Sequence, residues 1–388
     1  MVFHENINAE GLIDDFVPSS DSKDSRPFYL RESFPWTADY ANKRNYVKEL
    51  LHICNQSQIQ RWRKIKKMLD VSKAKKIAEG VYSEIFVAQY KMETLIPIGD
   101  NKPINRRRTN SFREGTAKLV VLKELTNLSQ VEQGYSTEGF VQLKGALVVK
   151  GRYPSMMINA WKQYKGKKKS NKANPALFSA NQNFLLLSVE NGGISLKEYE
   201  ITTVLQAYSI VYQLFMATAV AEFRLSFEHR DLNCEKILIT GTDWHDMIRS
   251  KFDGSDVYLY THGARVKIIN SSFCRMTKDV SSIYFDWTSN EEFFMGEGDL
   301  KHIAFQTMRK INRNNWRPFR PVTNVLWLAY IIDFIHDRLE ELHVGSPEDH
   351  AIFFFHFKCL YRYASAWKWI RDHIANNHMK KEVIAKAE

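Results

Sequence analysis

Val204, Tyr208, Val211, Phe215, Ala219 and Phe223 follow one another at intervals of four, three, four, four and four. Those intervals keep one face of an α-helix apolar for about five turns, so the chain must supply a core broad enough to receive it. A second helical pattern runs from Val325 to Leu339. Ahead of residue 190 the texture changes. Ile77 to Tyr90 alternates apolar and polar residues about one glycine, as a strand-turn-strand does. Phe184 to Leu187 is a short apolar run between Asn183 and the pair Gly192-Gly193, the mark of a buried strand. The pattern predicts an α+β chain with a strand-rich first part, a helical second part and a hinge near residue 190.

A chain of 388 residues is too long for one small core. The expected division is an N-terminal extension over 1–70, partly helical, a small β-rich lobe over 71–189 and a large helical lobe over 190–388. The first thirty or so residues read as a loose extension, acidic through Asp14, Asp15, Asp21 and Asp24. Leu50, Leu51, Cys54, Ile59, Trp62, Ile65 and Leu69 recur at helix-compatible intervals, which predicts a helix within Tyr40 to Lys76. Lys162 to Asn174 holds six lysines and a glycine and reads as a surface insertion.

No unbroken run reaches the length needed to cross a bilayer; the nearest, Val325 to Ile335, is interrupted by Asp333, and no membrane partner is expected. The first residues lack a secretory pattern. Cys54, Cys234, Cys274 and Cys359 show neither CxxC nor zinc spacing, so a nuclear or cytoplasmic location is expected. The net charge of +11 gathers in Arg61 to Lys76, Arg106 to Arg108 and Lys165 to Lys172. Such clusters attract nucleic acid or acidic partners, and they also occur as solvated loops.

Glu228-His229-Arg230-Asp231-Leu232 follows the long helix, as the catalytic loop of a protein kinase does. Further segments resemble the haspin kinases: Ile77 to Phe86, Thr137 to Phe140, Gly151 to Pro154 with Ala160-Trp161, Gly192 to Ile194, Phe227 to Leu232, Gly296 to Asp299 and Asn324 to Leu328. They occur in the family's order from residue 77 to about 335. The resemblance implies a bilobal protein-kinase fold.

It also assigns positions to the groups that phosphoryl transfer uses. The glycine loop becomes Ala78-x-Gly80-x-x-Ser83, with Gly80 and Val81 the expected nucleotide contacts. The strand lysine falls on Thr94, with Lys91 the nearby substitute, and the helix glutamate falls on Lys118. Asp231 keeps the position of the catalytic base. Five residues on, the metal-holding Asn is Lys236, and the metal-holding Asp is Asn270. A lysine at 236 cannot ligate a metal and instead offers an ammonium to phosphate.

By this resemblance ATP is expected to bind weakly if at all, and magnesium is not expected as a cofactor. The expected function is a catalytically impaired pseudokinase that binds or scaffolds a protein partner. The alternatives are a weak or atypical Ser/Thr kinase acting on histone-tail-like substrates, and a basic kinase fold that binds nucleic acid. The family implies nuclear work near chromatin, although a protein of net charge +11 offers a basic tail an unfavourable field overall.

Overall fold

The computed structural model describes residues 45–65, 74–79, 83–88, 91–99, 109–167, 174–269, 272–278, 281–288, 290–295 and 300–385. The described residues divide into two compact units, Ala41–Glu124 with Val141–Asn191, and Leu125–Phe140 with Gly192–Glu388. The expected acidic extension and the cluster Arg106 to Arg108 lie outside the described residues.

The first unit contains α1 (Tyr46–Ile53), β1 (Gln60–Arg61), α2 (Trp62–Ile65), β2 (Lys75–Glu79), β3 (Glu84–Ala88), β4 (Lys91–Ile98), most of α3 (Phe112–Asn127), β5 (Leu143–Lys150), α4 (Ser155–Lys167) and β6 (Asn183–Glu190). Its six strands form one sheet in the order β1-β5-β6-β4-β3-β2, with β1 parallel to β5 and the other pairs antiparallel. The alternating segment is the β2–β3 hairpin. The run Phe184 to Leu187 lies in central β6, where both faces are covered and alternation disappears. Phe184 and Leu186 join Trp62, Phe86, Leu95, Tyr153 and Met157 in one apolar cluster. On the other face, α3 comes so close that a Cβ on Gly115 would lie 3.3 Å from Ile98 and 3.7 Å from Leu185.

Two expectations need correction here. The helix expected within Tyr40 to Lys76 is broken after Ile53. Asn55 takes a left-handed φ of 55°, while the Gln56 and Asn55 amides donate back to Leu51 O and His52 O. This is the Schellman end of a helix, with Asn at the position that tolerates positive φ. The Gln56 side chain then accepts from Val148 N at 2.6 Å and donates to Val148 O at 3.1 Å, which carries the chain onto β5. The second correction concerns the lysine-rich stretch, whose residues 162–167 are the last turns of α4. Met157, Ala160 and Trp161 bury one stripe of that helix and its lysines stay exposed, so high charge did not prevent helix formation.

The second unit contains β7 (Ile194–Ser195), α5 (Val204–Leu225), β8 (Ile237–Gly241), β9 (Met247–Phe252), β10 (Ser255–Tyr260), β11 (Ala264–Ile268), β12 (Arg275–Lys278), β13 (Ser281–Tyr284), α6 (Leu300–Asn312), α7 (Val322–Glu341), α8 (Pro347–Phe357), α9 (Ala366–Ala375) and β14 (Ile384–Ala385). Its strands form the antiparallel sets β7-β8-β11, β9-β10-β14 and β12-β13. Helix α5 is the hub, packed by α7, α8, α9 and by β10, β11 and β12. It is therefore buried on every face along most of its length, beyond the single stripe its spacing predicted.

By length and composition α5 is the described helix that could cross a membrane, a helix other than the one the sequence singled out. Its polar groups say why it is at home in protein. Gln206 donates to His262 O at 2.9 Å, Ser209 to Tyr260 O at 2.7 Å and Gln213 to Ala264 O at 2.8 Å, while Gln213 accepts from Val266 N at 2.9 Å. These bonds stitch α5 to the strands beside it, and a buried amide left without them would be costly.

Candidate active site in the catalytic loop

Helix α5 ends at Ser226, which takes a left-handed φ of 44°, and releases the chain into Phe227 to Lys236. Arg230 is fully buried and left-handed as well, at φ 62°. A non-glycine residue holds that conformation when its surroundings over-determine it. Here the guanidinium makes a two-pronged bond to Glu228 at 3.0 Å and 3.0 Å, donates to Trp316 O at 2.8 Å and lies over the Trp316 ring. Glu228 also accepts from Thr323 Oγ1 at 2.7 Å and Arg320 N at 2.9 Å. The pair fixes the loop to the start of α7.

His229 is held on both sides. Its backbone N–H donates to Asn324 Oδ1 at 2.9 Å, and its Nδ1 accepts from Asp231 N at 3.3 Å. The ring proton therefore belongs on Nε2, which donates to Ile269 O at 3.0 Å. Burial pushes this imidazole down to about 4, so it is neutral near pH 7. It aligns the loop with the end of β11 and carries no charge to the site.

Asp231, the position assigned to the catalytic base, is 5% exposed. One oxygen accepts from Asn233 Nδ2 at 2.8 Å. Asn233 Oδ1 in turn accepts from Glu235 N at 3.0 Å, and Lys236 N donates to Asn233 O at 2.8 Å, which makes a short 3-10 turn. Burial raises the Asp231 carboxyl above its usual range, while the charges of Lys236 and Lys301 and the Asn233 bond oppose that rise. Lys236 O accepts from Ile269 N at 2.9 Å, so the lysine is anchored directly before position 270. The structure thus brings two of the expected site residues, Asp231 and Lys236, together on one turn.

The other expected residues divide. Gly80, Val81 and Asn270, with Gly296 to Asp299, lie outside the described residues. Lys91 begins β4, where its backbone pairs with Ala88 and Glu190. Thr94 stands between Ile85 and Leu187 in the same sheet. Lys118, on α3, donates to Asn110 Oδ1 at 3.2 Å. A buried lysine does exist in this unit: Lys76 pairs with Glu79 and Glu84 and lies 4.7 Å from the Tyr164 ring. It is opposite Phe86 on β3, whereas Thr94 is opposite Ile85, one residue away and so on the other face of the sheet. Lys76 is no replacement for the lysine absent at 94.

Sequence reasoning did not find Asn233, Lys301, Asn324 or Glu222. Asn233 had a signal, since Asp-x-Asn ahead of a turn is an Asx-type bond waiting to form. Asn324 had none of that kind. Fully buried, it donates to Phe227 O at 2.7 Å and to Glu222 Oε1 at 3.0 Å while its own oxygen holds His229.

Comparison with known proteins fits this geometry. A family model described as "Haspin like kinase domain" matches residues 37–354. The chain is 33% identical over 277 residues to the serine/threonine-protein kinase haspin of Mus musculus, covering 70% of this chain and 36% of that protein. It is 34% identical over 270 residues to the protein of the same name from Bos taurus, covering 68% of this chain and 34% of that one. With the serine/threonine-protein kinase haspin homolog of Drosophila melanogaster the identity is 29% over 321 residues, 80% of this chain and 56% of the relative. The chain thus spans between a third and somewhat over half of these relatives' length. Its β-rich and helical units, its ordered family segments and its buried His-Arg-Asp loop place it, an α+β bilobal protein-kinase fold, in the haspin-like kinase domain family.

Proposed function

We propose that this haspin-like kinase domain is a pseudokinase, impaired in phosphate transfer, that acts by binding and scaffolding a protein partner. The observation that carries the reading is Lys236. The resemblance assigns that position to a metal-holding Asn, and here it bears an ammonium whose charge acts on Asp231. An ammonium offers a divalent cation no lone pair and repels it. ATP is then a weak ligand and magnesium adds nothing to it. The resemblance extends the proposal to work in the nucleus or cytoplasm, with chromatin or a histone tail among the candidate partners.

One observation favours a second reading, a weak Ser/Thr kinase like the relatives' names. Asp231 is retained and oriented by Asn233, as a base for a substrate hydroxyl needs to be. The two readings part in one experiment. Purified protein is expected to transfer no phosphate to itself or to histone-tail peptides above an Asp231→Asn control, and ATP with magnesium is expected to raise Tm no more than ATP with chelator. Transfer that vanishes in the control, or a clear magnesium-dependent shift, would put the kinase reading first.

A further inference from the structure

Helix α8 is apolar on two sides. From His350 to Phe357 it reads His-Ala-Ile-Phe-Phe-Phe-His-Phe, with no Asp, Glu, Lys or Arg. His350, Phe353 and Phe357 are buried and form its inward stripe, with Phe353 and Phe357 against the Tyr208 ring of α5. Glu348, Ile352, Phe355 and Cys359 follow at intervals of four, three and four, so they share one face, and all four are exposed, as is Ala351 beside them. Ile352 is 50% exposed and Phe355 73%. A surface helix ordinarily turns a polar face to water, so a second apolar face marks a place where another molecule docks. Charge sits only at the two ends of this face. Glu348 lies in the first turn, and Lys358 stands at the C-cap with its ammonium 5.9 Å from the centre of the Phe355 ring. Asp349 is already taken up in the capping box with Ser346.

We propose that the outward face of α8 pairs with the same face of a second copy of this chain, the two helices running antiparallel about a twofold axis near Phe353. The face reads acid, apolar, apolar, base, and that order is complementary to its own reverse. An axis that sets Glu348 against Lys358 of the second copy also sets Ile352 against Phe355. One register therefore satisfies both the charges and the apolar contact, which is what selects a second copy over an unrelated partner. A parallel pairing would set Glu348 against Glu348, whereas the antiparallel one also places the positive end of each helix beside the negative end of the other. Such a contact is isologous and closes at two copies. One helix face is smaller than a standard interface, so dissociation is expected on the order of tens of micromolar. The pairing needs neither nucleotide nor phosphate transfer and stands apart from the pseudokinase reading.

Sedimentation of the full chain from about 1 to about 100 μM, a range that brackets such an affinity, tests the pairing. The mass is expected to rise from one copy to two. Phe355→Glu is expected to hold it at one copy throughout, with Tm close to that of the parent because the ring is exposed. Glu348→Lys and Lys358→Glu are each expected to weaken the dimer about fivefold or more, since each sets like charges opposite one another. The double variant is expected to recover, because every reversed charge again meets its opposite in a self-complementary pair. Glu348→Cys places a thiol beside Cys359 of the second copy, and mild oxidation is expected to link two chains there. Within one copy those positions are about 16 Å apart along the helix, too far for a disulfide to close. A single-copy mass for the parent at every concentration, a dimer indifferent to Phe355→Glu, or a double variant that does not recover overturns the proposal.

Discussion

At the scale of single residues, the contrast between Lys76 and Lys236 shows how much position decides. Both are lysines near carboxylates. Lys76 has a side chain with no solvent exposure and sits between Glu79 and Glu84, which face each other on the last described rung of the β2–β3 hairpin. Two carboxylates directly opposite would repel, and the ammonium between them offsets that repulsion. Lys76→Met is expected to cost about 3–5 kcal/mol, the usual loss when one partner of a buried ion pair is removed. Chemical denaturation of the two proteins measures it, and a loss below 1 kcal/mol would show that the carboxylates are satisfied without it. Lys236→Gln, by contrast, is expected to leave stability nearly unchanged, because a half-exposed charge in screened surroundings contributes little to folding.

At the scale of elements, the catalytic loop is fixed by close approach as much as by charge. Gly193, just before β7, has φ +94°, and a Cβ there would lie 2.0 Å from Ile239 O on β8. Backbone cannot step aside as a side chain can. Gly193→Ala is therefore expected to lose at least about 2 kcal/mol, the left-handed strain plus the displacement of β8. Strand β8 begins directly after Lys236, so the same change is expected to loosen the 3-10 turn. Amide exchange measured across 231–241 is the check, and unchanged protection there would separate β7 from the site. Gln213→Leu tests the hub helix in the same spirit. It keeps side-chain volume but orphans Val266 N and Ala264 O, and about 2 kcal/mol is the expected loss.

At the scale of the whole molecule, His229, His356 and Glu222 set opposing pH trends. His229 and His356 are both lowered to about 4, chiefly by burial. Between that value and 6.5 the unfolded chain binds their protons and the folded chain does not, so their contribution falls as pH drops through this window. Glu222 is raised to about 8, chiefly by burial, against the pull of donors from Trp367 N, Asn324 and Ala366 N. Between 4.5 and that value the folded chain holds a proton that the unfolded chain has released, so stability falls as pH rises. Above pH 6.5 the Glu222 contribution by itself slopes downward by about 1.4 kcal/mol per pH unit. Glu222→Gln mimics the protonated form, and its Tm is expected to stay level from pH 6.5 to 8 where that of the parent declines. A parallel decline in both proteins would assign the trend to other groups.

What the sequence alone determined is what repeats or what clusters locally. The spacing from Val204 to Phe223 marked α5, the alternation from Ile77 to Tyr90 marked a hairpin, and five adjacent letters from Glu228 to Leu232 marked the catalytic loop and, with the other segments, the family. These signals are short-range, and burial of a periodic face or one tight turn is enough to write them. Tertiary structure decided the rest. It ended α1 at Ile53, a stop the apolar spacing ran straight through, because left-handed Asn55 turns its own amide and that of Gln56 back onto carbonyls of the last turn. It made α5 a hub buried along most of its length, since Gln206, Ser209 and Gln213 found carbonyls on β10, β11 and the turn between them, about fifty residues away. It tied Asn324 to Glu222, Phe227 and His229 across some hundred residues of chain. No local pattern encodes such meetings. They exist only once the hydrophobic core has set which distant segments share a neighbourhood, and the charge at the catalytic loop is a property of that neighbourhood.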